Sequence, residues 1–168
     1  MYVSKCCKEF ARPNARWLAS TICVALCRNG RVILYDDLPA DPKKIFVGPT
    51  RALIVLYMMK GKSVGHYSAI LKRGGQFEYF SSYALRPEAE MAALHESPGK
   101  MLRLLGSKYT QTKVRLQPMR NSNTCARWAL ARVSLDTLNV QDFVSLFSRK
   151  LSLQTPDDIC TLSTIFAL

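Results

Sequence analysis

Three side chains in this chain have the types needed for thiol chemistry: His66, Gln117 and Cys125. Cys125 stands where the polar, turn-forming run Gln117-Pro118-Met119-Arg120-Asn121-Ser122-Asn123-Thr124 gives way to helix formers. Thr124 or Asn123 is a suitable N-cap, so the thiol is predicted to sit in the first turn of a helix. Unpaired backbone N–H groups and the helix dipole favour an anion there, which raises the fraction of nucleophilic thiolate. A thiol nucleophile needs a base, and the chain has two histidines, His66 and His95. A histidine held on a strand is positioned rigidly, as a general base must be, and His66 has that setting. His95 is predicted on a solvated helix beside Glu96 and is set aside. Gln117, across a loop from Cys125, carries an amide able to donate to an oxyanion beside the Cys125 backbone N–H. Each residue also has a plain alternative. Lone cysteines are often packing groups, a strand histidine can be a satisfied polar residue, and a glutamine can simply end a strand.

The elements that must position these groups follow from the apolar pattern. Ala52 to Met59 is a continuous apolar run that suits a buried strand. Val64 to Leu71 is a second strand carrying His66. Arg73-Gly74-Gly75 signals a hairpin into a third strand, Gln76 to Tyr83. Arg31 to Tyr35 and Lys113 to Gln117 read as further short strands. Pro87 to Leu105 has helical spacing broken at Ser97-Pro98-Gly99. Helices are also predicted over 15–27, from Cys125 to about Val133, from Val140 to about Leu151, and from Pro156 to Phe166. The expected class is α+β, a central, mostly antiparallel sheet flanked by helices, in one domain over 1–168.

The chain has 24 Lys and Arg against 12 Asp and Glu, a net charge of +12. That excess points to an anionic partner, with non-specific nucleic acid the first expectation. The six cysteines, at 6, 7, 23, 27, 125 and 160, lack the regular spacing of a small disulfide scaffold, which predicts a reducing compartment. Lys5, Lys8, Arg12 and Arg16 followed by the apolar run Trp17 to Cys27 imitate a signal peptide, but Cys27-Arg28-Asn29-Gly30 offers no small-residue cleavage site. The run is also too short to span a bilayer. Cys23 and Cys27 fall one helical turn apart, yet without a CxxC pair no metal site is expected.

The motifs Gly65-His-Tyr-Ser-Ala-Ile-Leu71, Phe77-Glu-Tyr-Phe-Ser-Ser-Tyr-Ala84, Gln117 and Thr124-Cys-Ala-Arg-Trp128, in this order, resemble the adenovirus-type maturation cysteine proteases. These adenain-like enzymes share a clan with the SUMO-specific proteases, papain-like in the broad sense but with His ahead of Cys. The variety in virophages and Polinton transposons is most similar. The resemblance spans about Tyr35 to Leu168, including Asp36-Asp-Leu-Pro39 and Pro156-Asp-Asp158; residues 1–30 fall outside it. It implies His66 as base, Cys125 as nucleophile and Gln117 as oxyanion donor, with Tyr67 and Trp128 touching substrate. At four positions the chain departs from the pattern: Tyr67 stands for a tryptophan, Ala84 and Ala126 stand for glycines, and Ser81 occupies the position of the family's acid. Serine offers a hydrogen bond but no charge. Glu78, three residues away on the strand, is expected on the opposite face.

The implied function is a cysteine endopeptidase that processes viral capsid or core precursors, cleaving after small residues such as glycine. It would act as a monomer, in the virion or the host nucleus or cytoplasm, with no cofactor beyond nucleic acid or an activating peptide. The alternative is a basic virion protein on the same fold that binds nucleic acid or capsid without turnover. A chymotrypsin-like protease also has His before Cys, but the helix predicted after Cys125 argues against a double β-barrel. Deconjugation of ubiquitin-like tails follows from clan membership alone.

Overall fold

The computed structural model of the protein describes residues 30–39, 41, 44–48, 50–58, 65–94, 97–118, 123–148 and 155–166. The basic segment 1–12, the helix predicted over 15–27, Cys6, Cys7, Cys23 and Cys27, the turn at Lys60-Gly61-Lys62, and His95 lie outside the described residues.

Five strands, β1 (Gly30–Leu34), β2 (Ala52–Met58), β3 (Gly65–Arg73), β4 (Gln76–Phe80) and β5 (Tyr109–Gln111), form one sheet in sequence order. The central pairings β2–β3 and β3–β4 are antiparallel, and the outer pairings β1–β2 and β4–β5 are parallel, so the sheet is mixed. Among the described residues five helices accompany it: α1 (Pro87–Ala93), α2 (Gly99–Leu105), α3 (Cys125–Ser134), α4 (Val140–Ser148) and α5 (Pro156–Phe166). The architecture is α+β.

The apolar run of β2 lacks alternation because both faces of the sheet are covered. Ala52 and Ile54 join the core under α3 and α4, with Trp128, Ala129, Phe143 and Phe147. Leu53, Val55 and Tyr57 join the opposite core, with Met91, Met101, Leu104 and Leu105 of α1 and α2. The β3–β4 turn is made by Gly74 and Gly75 at φ 50° and 85°, the left-handed values a two-residue hairpin demands.

Three expectations shift. Strand β4 ends at Phe80 rather than at Tyr83, because Ser81 and Ser82 turn the chain: the Ala84 N–H donates to Ser81 O at 3.0 Å. The strand expected over Lys113 to Gln117 lies instead at Tyr109–Gln111. Leu116 and Gln117 give their N–H groups to Ser82 O, at 3.0 and 3.1 Å, outside the ladder. The helix expected to reach Leu151 is assigned over Val140–Ser148, and 149–151 lie outside the described residues.

Candidate active site

His66 lies near the start of β3. Its strand partner is Tyr57 of β2, and on the other side β4 pairs only from Ala69 onward. The edge of β3 beside His66 is therefore open, and groups from both sheet faces can reach the ring. Gly65 fits the site by close approach: a Cβ there would stand 2.2 Å from the Tyr57 carbonyl oxygen. Any side chain at 65 would push β3 off β2 one residue before the histidine.

Cys125 opens α3, as the sequence predicts, and is partly exposed. Thr124 holds the N-cap position but makes no capping hydrogen bond with its side chain. Its hydroxyl donates to Asp157 Oδ1, and the Trp128 indole N–H donates to the same oxygen at 2.8 Å. Asp157, in the first turn of α5, thus ties down the first turn of α3.

The Cys125 thiol and the His66 ring interact, each favouring the charged form of the other. Burial alone would raise the thiol's pKa; the hydrogen bond and charge of His66, with the backbone N–H groups of Tyr67 and Ala126, bring it below its ordinary value. Burial likewise opposes a charged His66, but its bonds to Cys125 and Glu90 and their negative charges raise it to about 9. Between those values the favoured state is a thiolate–imidazolium pair, the reactive form of a cysteine nucleophile.

The carboxylate beside His66 comes from α1, where the sequence pattern had not placed it. Glu90 Oε1 stands 2.6 Å from His66 Nε2, and both side chains are buried. The N–H vector is not aligned along this approach, so the contact is a close ion pair more than a linear hydrogen bond. Ser81, at the expected acid position, donates its hydroxyl to Glu90 Oε1 at 3.0 Å, and the Tyr79 hydroxyl donates to Glu90 Oε2. The Tyr83 ring stacks on the imidazole with centroids 4.9 Å apart.

Glu90 was not singled out from the sequence, although its setting carries a signal. Pro87, Glu90, Met91 and Leu94 are buried and share one helical face, and a glutamate on such a face needs a partner. Glu78 behaves as expected: it faces away from the site and is held by Arg132 Nε at 2.7 Å and Arg73 Nε at 3.2 Å.

The remaining expected residues divide. Tyr67 lies beside Cys125, and its phenol is raised by burial and then by the Cys125 charge. Gln117 is buried, with its Oε1 accepting the Ser82 hydroxyl at 2.6 Å, which fixes the orientation of the amide. Trp128 does not suit a substrate contact. It is fully buried, packed edge-on against Phe147 with centroids 4.7 Å apart, and its polar edge is spent on Asp157. Among the described residues no three His, Cys, Asp or Glu side chains group as a metal site. No helix among them is long and apolar enough to cross a membrane.

No family model matches the chain. It is 29% identical over 156 residues to "Uncharacterized protein V9" of Sputnik virophage, covering 83% of this chain and 89% of that protein. Solved structures with low similarity include two of note. One is "AvrA delL154 with IP6, CoA", with TM-score 0.44 and 17% identity over 86% of this chain and 53% of that one. The other is the ASFV pS273R protease, with TM-score 0.38 and 20% identity over 70% of this chain and 44% of that one. The chain spans about half the length of each of these two proteins.

Proposed function

We propose that this protein is a viral cysteine endopeptidase that processes structural precursors during particle maturation. The observation that carries the reading is His66 held between the Cys125 thiol and the Glu90 carboxylate. Resemblance of the sequence motifs to adenovirus-type proteases supports it, as does a virophage relative aligned over most of both chains. In the proposed reaction the Cys125 thiolate attacks the scissile carbonyl carbon. The oxyanion is met by the Cys125 backbone N–H and the Gln117 amide. The imidazolium of His66 gives its proton to the leaving amine, and the neutral ring then takes a proton from the water that hydrolyses the thioester. Ser81 was the main sequence feature favouring an inert virion protein. A carboxylate at His66 from another element weakens that alternative.

The test is cleavage of particle precursor proteins, or glycine-containing peptides drawn from them, by the purified chain. Turnover is expected to vanish in Cys125→Ser and His66→Ala. Cys125 is also expected to react with iodoacetamide faster near neutral pH than Cys160, whose thiol burial pushes up to about 12. Absence of cleavage, together with equal labelling of accessible thiols that is insensitive to His66→Ala, would leave the nucleic-acid-binding virion protein as the better reading.

A further inference from the structure

The acid position of the resembled pattern holds Ser81, yet His66 does not lack a carboxylate. Glu90 reaches it from one turn inside α1, across the open edge of β3. The surroundings of Glu90 are built to hold it. Both of its oxygens accept hydroxyls, Oε1 from Ser81 at 3.0 Å and Oε2 from Tyr79. Ser81 and Tyr79 lie two residues apart, so they present their hydroxyls on the same side of the extended chain. A buried, unpaired carboxylate would protonate rather than stay charged: burial raises the Glu90 carboxyl above its ordinary value, and the bond and charge of His66 oppose that rise.

We propose that the acid function has moved from the strand end to helix α1: Glu90 is the carboxylate that positions His66, and Ser81 and Tyr79 have become the clamp that orients Glu90. Resting on the reading of Cys125 and His66 as a reactive pair, this assigns a positioning role to three residues that do not touch substrate. The residue at 81 keeps a place in the site by serving the acid instead of being it. The volume argues the same way. Ser81 Oγ is 3.0 Å from the oxygen that itself stands 2.6 Å from His66 Nε2. A carboxylate at 81 and one at 90 compete for one place, and like charges so close cannot both ionise. The other titratable groups around the pair are Tyr83 stacked on the imidazole, Tyr67 beside the thiol on β3, Tyr57 of β2, whose phenol is raised by burial and then by Glu90, and Asp157 of α5, which accepts from Thr124 and Trp128 at the first turn of α3 and also raises Tyr83.

The experiment reads the pH midpoint of Cys125 alkylation by iodoacetamide, followed by mass spectrometry of the Cys125 peptide in the folded full chain. A structural role for Glu90 would not move that midpoint. Glu90→Gln is expected to raise it by about one pH unit or more, roughly a tenfold loss of thiolate in the acid limb. Ser81→Ala and Tyr79→Phe each remove one neutral hydrogen bond and are expected to shift it less, a change of about fivefold at most. Ser81→Asp alone is expected to give no gain. The double variant Ser81→Asp/Glu90→Ala, with the carboxylate returned to the strand end, is expected to recover most of the wild-type midpoint. If Glu90→Gln folds and keeps the wild-type midpoint, the relocation is overturned. If Glu90→Gln does not fold, unchanged midpoints in both Ser81→Ala and Tyr79→Phe overturn the clamp. Failure of the underlying reading looks different: the wild-type thiol itself would titrate near the ordinary value of about 8.5.

Discussion

At the scale of single residues, the pair at the centre of the site sets a pH window. Cys125 is held below its ordinary pKa and His66 is raised to about 9. Below the thiol's value the nucleophile is protonated; above about 9 the imidazolium has lost the proton that the leaving amine needs. Turnover is therefore expected to rise through the acid limb and to fall as pH passes about 9. The two limbs belong to the coupled pair and not to either residue alone. Alkylation of Cys125, which needs only the thiolate, is expected to follow the acid limb without the alkaline fall. An alkaline limb in both readouts would show that something other than the imidazolium proton is lost. His66, Cys125 and Gln117 could be singled out from the sequence because each is a chemically distinctive type at a distinctive local setting. Glu90 was missed because charged residues on helices are usually solvated, and only its place between Pro87 and Leu94 on an apolar face marks it. Trp128 was misjudged because adjacency to the nucleophile in sequence says nothing about which way a helical side chain faces. At three residues beyond Cys125 it turns into the core.

At the scale of elements, α3, which carries Cys125, is fastened to the sheet by charge as well as by apolar contact. Arg132 is fully buried on α3 and forks onto Glu78 of β4, Nε to Oε1 at 2.7 Å and Nη2 to Oε2 at 3.0 Å. Its remaining N–H groups cap the Leu135 and Leu138 carbonyls, each at 2.8 Å, and the guanidinium lies 5.0 Å from the Phe143 ring centroid. One side chain thus joins β4, the end of α3 and the loop into α4. Removing one partner of such a pair leaves the other charge buried, so Arg132→Ala is expected to cost about 3–5 kcal/mol in urea unfolding. A loss below about 1 kcal/mol would show that Arg73, also on Glu78, suffices. The turn after β4 carries a second, smaller strain. Ala84 sits at φ 58°, a left-handed value, where the resembled pattern has glycine. Ala84→Gly relieves about 1–2 kcal/mol of steric cost and gives back about 0.4–1 kcal/mol of unfolded-chain entropy. A small net gain in stability, near 0.5–1 kcal/mol, is therefore expected. A clear loss in the same unfolding measurement would mean the methyl packs usefully there.

At the scale of the whole molecule, the sequence pattern carried the α+β class, the β2–β3–β4 meander and every described helix, because each rests on a local period or a Gly or Pro signal. It did not carry the parallel outer pairings or the position of β5, since a three-residue edge strand has too few residues to show a period. What composition does carry is the charge of +12, and its distribution in the fold gives the last expectation. The buried charges are largely internal: Glu78 with Arg132, and Glu90 with His66. Among the described residues the remaining cations are dispersed. Arg31 is exposed on the β1 edge, Lys113 and Arg115 follow β5, Arg103 is on α2, and Arg51 and Lys72 line a cavity beside the Gly74-Gly75 turn. Asp136 lines that same cavity, so its field is partly cancelled. Among the described residues no single element concentrates the cations, and none presents a basic helix for reading a groove. Binding to DNA or RNA is thus expected to be independent of sequence and to weaken steeply with salt as cations displace counterions from phosphate. Because the contacts are spread, each of Arg51→Ala, Lys72→Ala and Arg115→Ala is expected to reduce the slope of log affinity against log salt by no more than about 1. An affinity that barely changes between low and physiological salt would show that the surplus serves some purpose other than phosphate contact. A slope that collapses with one substitution would instead locate a discrete site at that residue.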